Sequence, residues 1–159
     1  MITHSRIAGC LLLVCIAADC SGDTKAAEET ASAAASVGSS SDLCSLFNTQ
    51  EIRTLLGTPV AVSTVSPPSA SACQWDGTTD DGAYAQVQVV GVRYWTPPKS
   101  AEGYEKLSGL GKEAFVAPEM GGWQAGALTD TAAALVAVKS GSATRETAVR
   151  FLRDMLGRM

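Results

Sequence analysis

The N-terminal forty residues limit where this chain can form a hydrophobic core. A mostly apolar run from Ile7 to Ala18 follows Arg6 and ends just before Cys20. Residues 25–41 are almost entirely Ala, Ser, Glu, Thr and Gly, with too little apolar bulk to offset the entropy of ordering them. A folded core must therefore form within residues 42–159, which is enough chain for one domain and not for two.

The first segment is organised like an export signal. A positive start followed by a short apolar run is what the secretion machinery recognises, and the run is shorter than the ~20 residues of a membrane-spanning helix. Bacterial lipoproteins are cleaved and acylated at a cysteine just after such a run. We expect a signal peptide over residues 1–19, lipidation at Cys20 and a flexible tether over residues 20–41.

Two alternatives to lipidation stay open. Lipoprotein signals usually carry a small neutral residue just before the cysteine and a large aliphatic residue three before it, and this chain has Asp19 and Ala17 there. Cleavage among the nearby alanines would give a soluble secreted domain. An uncleaved segment would serve as an anchor.

Charge and histidine content exclude several function classes. Beyond the signal the chain has fifteen Asp and Glu against eleven Lys and Arg, so nucleic acid is not expected as a partner and any membrane attachment would come through the N-terminal lipid. The single histidine, His4, lies in the signal. Histidine-dependent general base catalysis is thereby excluded and the commonest transition-metal ligand is missing. We predict no catalytic residue, no metal site and no cofactor.

Cysteine usage agrees with export. If Cys20 is acylated, Cys44 and Cys73 remain, and in an oxidising compartment they would most simply form one disulfide. The alternative is a free thiol nucleophile, which would have no histidine to activate it.

Local patterns predict an ordered series of helices and strands. Asn48 and Glu51 form a capping box, and Gly57 with Pro59 ends the helix that follows. The remaining segments are strands over 60–65, 72–76, 83–93, 113–117, 123–128 and 132–138, a short helix over 100–107, and a closing amphipathic helix over 144–156. This order predicts an α+β fold: a two-layer domain in which two or three helices pack on a mostly antiparallel sheet of about five to six strands.

Three groups of residues could carry a site. Trp75 is expected to pack beside the Cys73 disulfide on one strand face, the alternative being exposure for ligand stacking. The turn that follows is expected to be solvated, the alternative being a calcium site. The residues of this turn are Asp76, Asp80 and Asp81. Tyr94, Trp95, Tyr104 and Trp123 are expected to be core or scattered surface residues, the alternative being an apolar ligand cleft.

Several short motifs occur in an order that resembles a known family. They are Asp42-Leu-Cys44, the capped helix over 48–57, Cys73-Gln-Trp75, Gly109-Leu-Gly-Lys-Glu-Ala-Phe115 and the closing helix. Together they resemble the bacterial, mainly actinobacterial, lipoproteins of the domain-of-unknown-function 3558 type. The resemblance implies an exported, usually lipid-anchored domain with a disulfide between Cys44 and Cys73, lipid at Cys20 and no established activity.

The sequence therefore favours a non-enzymatic envelope protein, at the cell membrane or outer membrane and facing the periplasm or exterior. Its expected role is to bind an envelope protein or a small apolar ligand, at residues that the sequence does not identify. One alternative is a secreted soluble hydrolase that uses carboxylates or a serine, and another is a purely structural envelope component.

Overall fold

Two short helices open the folded part of the chain. The structure is a computed structural model that describes residues 40–63, 70–79 and 82–159. Helix α1 spans Ser40–Ser45 and begins two residues before the predicted domain boundary, while α2 spans Thr49–Leu56. The predicted capping box is confirmed: the Asn48 side chain accepts from the Glu51 N–H, and the Glu51 carboxylate accepts from the Asn48 N–H, each at 2.9 Å. Gly57 ends α2 in the left-handed conformation, at φ 73°.

Within the described residues, seven strands form one sheet in which all neighbours are antiparallel. Their spatial order is β1-β2-β3-β7-β6-β5-β4. The strands are β1 (Val60–Ser63), β2 (Ala70–Gly77), β3 (Tyr84–Gly91), β4 (Glu105–Leu107), β5 (Glu113–Glu119), β6 (Gly122–Leu128) and β7 (Ala132–Lys139). A 3-10 turn spans Val92–Tyr94, and helix α3 spans Arg145–Leu156. The predicted α+β fold class is confirmed.

The predicted helix over 100–107 is wrong. That segment is a turn followed by β4, which pairs with β5, and the extra strand brings the sheet to seven rather than five or six. Gly103 lies at φ 78°, a left-handed conformation that interrupts a helix. Residues 104–107 are too few to nucleate a helix alone, so pairing with a neighbouring strand prevails.

One face of the sheet carries the core. Helix α3 packs on β5, β6 and β7, and α1 packs on β2. Phe151, Leu152 and Met155 of α3 are almost fully buried, as the predicted stripe requires, and small alanines on β6 and β7 lie beneath them. Strand β7 is apolar almost throughout, which suits its central position between β3 and β6.

The opposite face of the sheet is covered over only part of its area. Trp95 and Tyr104 place their rings 5.5 and 5.8 Å from the ring of Phe115 on β5. The Trp95 indole N–H donates to Glu113 at 3.0 Å, and Lys99 pairs with the same carboxylate at 3.0 Å. These contacts lower the pKa of Glu113, the hydrogen bond from Trp95 being the larger cause. Segment 92–104 is thereby held over β5 and β6.

Candidate functional site

A groove between α2 and α3 is a candidate binding site in the part of the chain that the structure describes. Its volume is about 510 Å³, within the range of about 300–1,000 Å³ that is usual for small-molecule sites. Apolar side chains form the floor and polar ones the rim. The floor consists of Phe47, Ile52, Leu55 and Phe151, and the rim of Asn48, Gln50, Glu51, Thr54, Arg150, Asp154 and Arg158.

The floor is rigid because its rings belong to the core. Phe47, just before the N-cap of α2, lies with its ring centroid 4.8 Å from that of Phe151 on α3. The same ring meets Trp75 edge-on at 6.3 Å. Phe47, Ile52 and Phe151 are buried, and Leu55 is half-buried, so a ligand would contact ring edges and the Leu55 side chain.

A bidentate ion pair closes one side of the groove. Arg158 donates to the two Glu51 oxygens at 2.9 and 3.0 Å and to the Leu46 carbonyl at 2.6 Å. Its guanidinium lies 4.3 Å from the centroid of the Phe47 ring. The hydrogen bond from Arg158 is the largest cause that lowers the pKa of Glu51, followed by the Asn48 N–H. Glu51 is therefore held ionised, with its charge already paired.

The rest of the rim presents charge of both signs. Arg150 and Asp154 line the groove from α3, and among the described residues neither takes part in a recorded ion pair. Their charges are therefore available to a polar group of a ligand. The arrangement suits a ligand with an apolar body and a polar end.

Metal binding finds no support in the described part of the chain. No group of three or more His, Cys, Asp or Glu side chains is arranged there to hold a metal ion. Of the turn considered for calcium, Asp76 accepts from Ser63 at 2.6 Å and from Gln74 at 2.5 Å, while Asp80 and Asp81 lie outside the described residues.

Of the three cysteines singled out from the sequence, Cys44 and Cys73 lie within the described residues and Cys20 does not. Cys44 on α1 and Cys73 on β2 have their sulfur atoms 2.06 Å apart and their Cα atoms 5.1 Å apart, and Cys73 is fully buried. Trp75 follows Cys73 on the same strand face and is also fully buried, so the alternative of an exposed stacking residue is wrong. Cys20, the predicted signal peptide and most of the predicted tether lie outside the described residues. Among the described helices none has the length and hydrophobicity needed to cross a bilayer.

The aromatic residues considered as one ligand cleft are not brought together. Trp95 and Tyr104 cover Phe115 on one sheet face, whereas Trp123 packs against the core on the helix-covered face. Tyr94 is 42% exposed, with Arg93 4.7 Å above its ring. The sheet lies between these groups, so the alternative of one apolar cleft lined by all four residues is wrong.

Sequence reasoning missed the groove because its two walls are far apart in the chain. Glu51 and Arg158 are separated by 107 residues. One signal was available: Phe47 is the hydrophobic residue before the N-cap of α2, and such residues pack where the chain enters a helix. No feature of the α3 sequence indicates that Phe151 lies beside Phe47.

Comparison with protein-family models, with curated proteins and with solved structures finds no match for this chain. The resemblance to lipoproteins of the domain-of-unknown-function 3558 type therefore stays a prediction from short motifs.

Proposed function

We propose that this protein is an exported envelope protein, anchored by lipid at Cys20, whose folded domain binds a partner protein or a small apolar ligand without catalysis. The observation that carries the binding role is the groove of about 510 Å³ between α2 and α3. Its apolar floor and mixed-charge rim favour an apolar group with a polar end.

Two features support export. The N-terminal pattern of Arg6, the apolar run over 7–18 and Cys20 is typical of a lipoprotein signal. Cys44 and Cys73 lie at disulfide distance, and such bonds persist mainly in oxidising compartments.

The lowered pKa of Glu51 favours binding over hydrolysis as the role of the groove. A general acid needs a carboxyl group that keeps its proton near neutral pH. Arg158 lowers the pKa of Glu51 and so acts in the opposite direction. Glu51 is moreover held by its capping contacts to Asn48, which makes it a structural group at the start of α2.

The binding role is tested with a fluorescent amphiphile, 1-anilinonaphthalene-8-sulfonate, which combines an apolar body with one negative charge. Gln50→Trp would fill the groove from its rim, while Arg53→Trp adds the same side chain at an exposed position of α2 outside the groove. We expect the parent and R53W to bind the probe and Q50W to lose binding. Equal binding by all three proteins, or probe-induced NMR shifts away from Leu55 and Phe151, would contradict the proposal.

The anchor is tested by the intact mass of the protein extracted from its native envelope, before and after reduction and alkylation. We expect a chain that starts at acylated Cys20 and has no free thiol until it is reduced. A lipid-free mass with a different start would overturn the lipoprotein assignment and leave the groove proposal standing.

A further inference from the structure

Within the described residues, part of the sheet face opposite the helices is left uncovered and carries a set of glutamines. Gln86 on β3 and Gln124 on β6 both pair with Ala137 on the strand between them, so the two amides flank one alanine. Gln88, two residues along β3, pairs with Leu135 on the same face. Because alternate residues of a strand share a face, these three amides lie together over Leu135 and Ala137.

The glutamines surround a small depression of about 70 Å³. Leu135 and Ala137 contribute apolar surface to it, and Glu119 contributes a carboxyl group at one side. All three glutamines are half-buried, and within the described part of the chain none of their side chains makes a hydrogen bond. Half-buried amides whose donors and acceptors are unused offer ready contacts for a ligand.

The chemistry of the depression defines what would fit it. An amide side chain both donates and accepts, so a set of three matches a ligand group that also donates and accepts rather than a simple ion. A volume of about 70 Å³ holds a small group, not a whole ligand. An acetamido group fits on both counts: its methyl would lie on Leu135 and Ala137, its carbonyl would accept from glutamine N–H groups, and its N–H would donate to Glu119.

We propose that this face binds a neutral saccharide bearing N-acetyl groups, with one acetamido group in the depression between Gln86, Gln88 and Gln124. The site lies on the opposite side of the sheet from the groove between α2 and α3, so the inference does not depend on the groove. The choice of a glycan as the occupant rests on the proposed export of the domain.

A peptide is a weaker fit to this face. Extended peptides bind by adding a strand at a sheet edge, where backbone N–H and C=O groups are free. The depression lies over β3, β7 and β6, whose backbones are paired on both sides within the sheet. Only side chains are available there, which suits hydroxyl and acetamido groups displayed on a sugar ring.

The environment of Glu119 agrees with a partly dry site. Burial raises the pKa of this carboxyl group. Burial also raises the pKa of Tyr84 on β3, and the charge of Glu119 adds to that effect. A hydrogen bond made in such surroundings is stronger than one made in open water.

The test titrates the full folded domain with N,N′-diacetylchitobiose and follows binding by NMR chemical shifts. We expect weak saturable binding, with shifts at Leu135, Ala137 and the three glutamine side-chain amides. Gln86→Ala and Gln124→Ala should each weaken binding about fivefold, the effect of losing one hydrogen bond of about 1 kcal/mol. Gln50→Ala, a change of the same side chain in the α2–α3 groove, should leave the affinity unchanged.

Each other outcome overturns the inference. Absence of binding would rule out a saccharide as the ligand. Equal binding of maltose, which lacks acetamido groups, would show that the acetamido group is not recognised. Equal binding of trialanine, a peptide that lacks an acetamido group, would mean that a peptide is the occupant. A loss in Q50A with none in Q86A and Q124A would place the sugar in the α2–α3 groove, leaving the binding role of that groove intact.

Discussion

At the scale of single residues, Met120 has a backbone conformation that is unfavourable for methionine. It occupies the first position of the two-residue turn between β5 and β6, at φ 46°, and Gly121 follows at φ 82°. Positive φ at both positions defines a turn that favours Asn-Gly. The Met120 side chain is 83% exposed, so it gains little packing in return.

Met120→Asn should therefore stabilise the protein. We expect the free energy of unfolding to rise by about 0.5–1 kcal/mol, because asparagine tolerates the left-handed conformation better than methionine does. Chemical denaturation measures the change. Met159→Asn, at another exposed methionine, is the control and should have no effect. Equal changes in both variants would mean that the turn holds no strain.

Glu119 gives the chain a pH dependence of a specific sign. Because burial raises the pKa of this group, the folded state keeps its proton to higher pH than the unfolded chain does. Folding therefore becomes less favourable as pH rises through the folded-state pKa of Glu119. Carboxylates whose pKa is lowered, such as Glu51 and Glu113, contribute with the opposite sign.

Comparing Glu119→Gln with the parent isolates this one group. At acid pH, where Glu119 is protonated in both states, the two proteins should differ little. As pH rises, the free energy of unfolding of E119Q should exceed that of the parent, since the variant has no charge to bury. Denaturant titrations across the pH range measure the difference, and a difference that does not vary with pH would show that Glu119 is solvated.

At the scale of elements, segment 92–104 depends on a glycine in the strand beneath it. A Cβ at Gly126 of β6 would lie 2.7 Å from Phe115 Cε1, 2.8 Å from Leu135 Cδ2 and 3.1 Å from Trp95 Cζ3. Because Gly126 has no side chain, the Trp95 ring has room to pack on the sheet at this position. The same segment is held by the hydrogen bond from Trp95 to Glu113.

Gly126→Ala should lower the free energy of unfolding by about 1–3 kcal/mol, the usual cost of forcing an extra methyl group into a packed region. Gly141→Ala is the matched control, since a Cβ there would have no neighbour within 4 Å. Thermal and denaturant unfolding measure both variants. If G126A were as stable as G141A, Trp95 would not be packed on β6.

At the scale of the whole molecule, the Cys44–Cys73 pair joins α1 to the sheet across a sequence separation of 29 residues. Closing a loop of this length restricts the unfolded chain and, in the chain-entropy model, stabilises the fold by about 3–4 kcal/mol. We expect reduction to lower the free energy of unfolding by that amount. The double variant C44A/C73A should not respond to the reductant. A free thiol at Cys44 or Cys73 before reduction, or a parent protein insensitive to the reductant, would contradict the bond.

Most elements could be predicted from sequence because their signals are local. The capping box of Asn48 and Glu51, the left-handed Gly57 and the amphipathic stripe of α3 all act within a few residues. Strand β4 was mispredicted because its conformation comes from pairing with β5, which local propensity does not encode. The candidate site was not predictable in the same way, since both the groove and the glutamine depression gather side chains from distant segments.

By itself, the sequence determined the α+β class, the acidic balance and the ends of the main helices, because hydrogen bonding and hydrophobic periodicity act over short stretches of chain. Tertiary structure alone decided that β7 lies between β3 and β6, that Arg158 pairs with Glu51, and that three glutamines share one depression. Those choices depend on which apolar faces can be buried together, and burial is a property of the assembled sheet and helices.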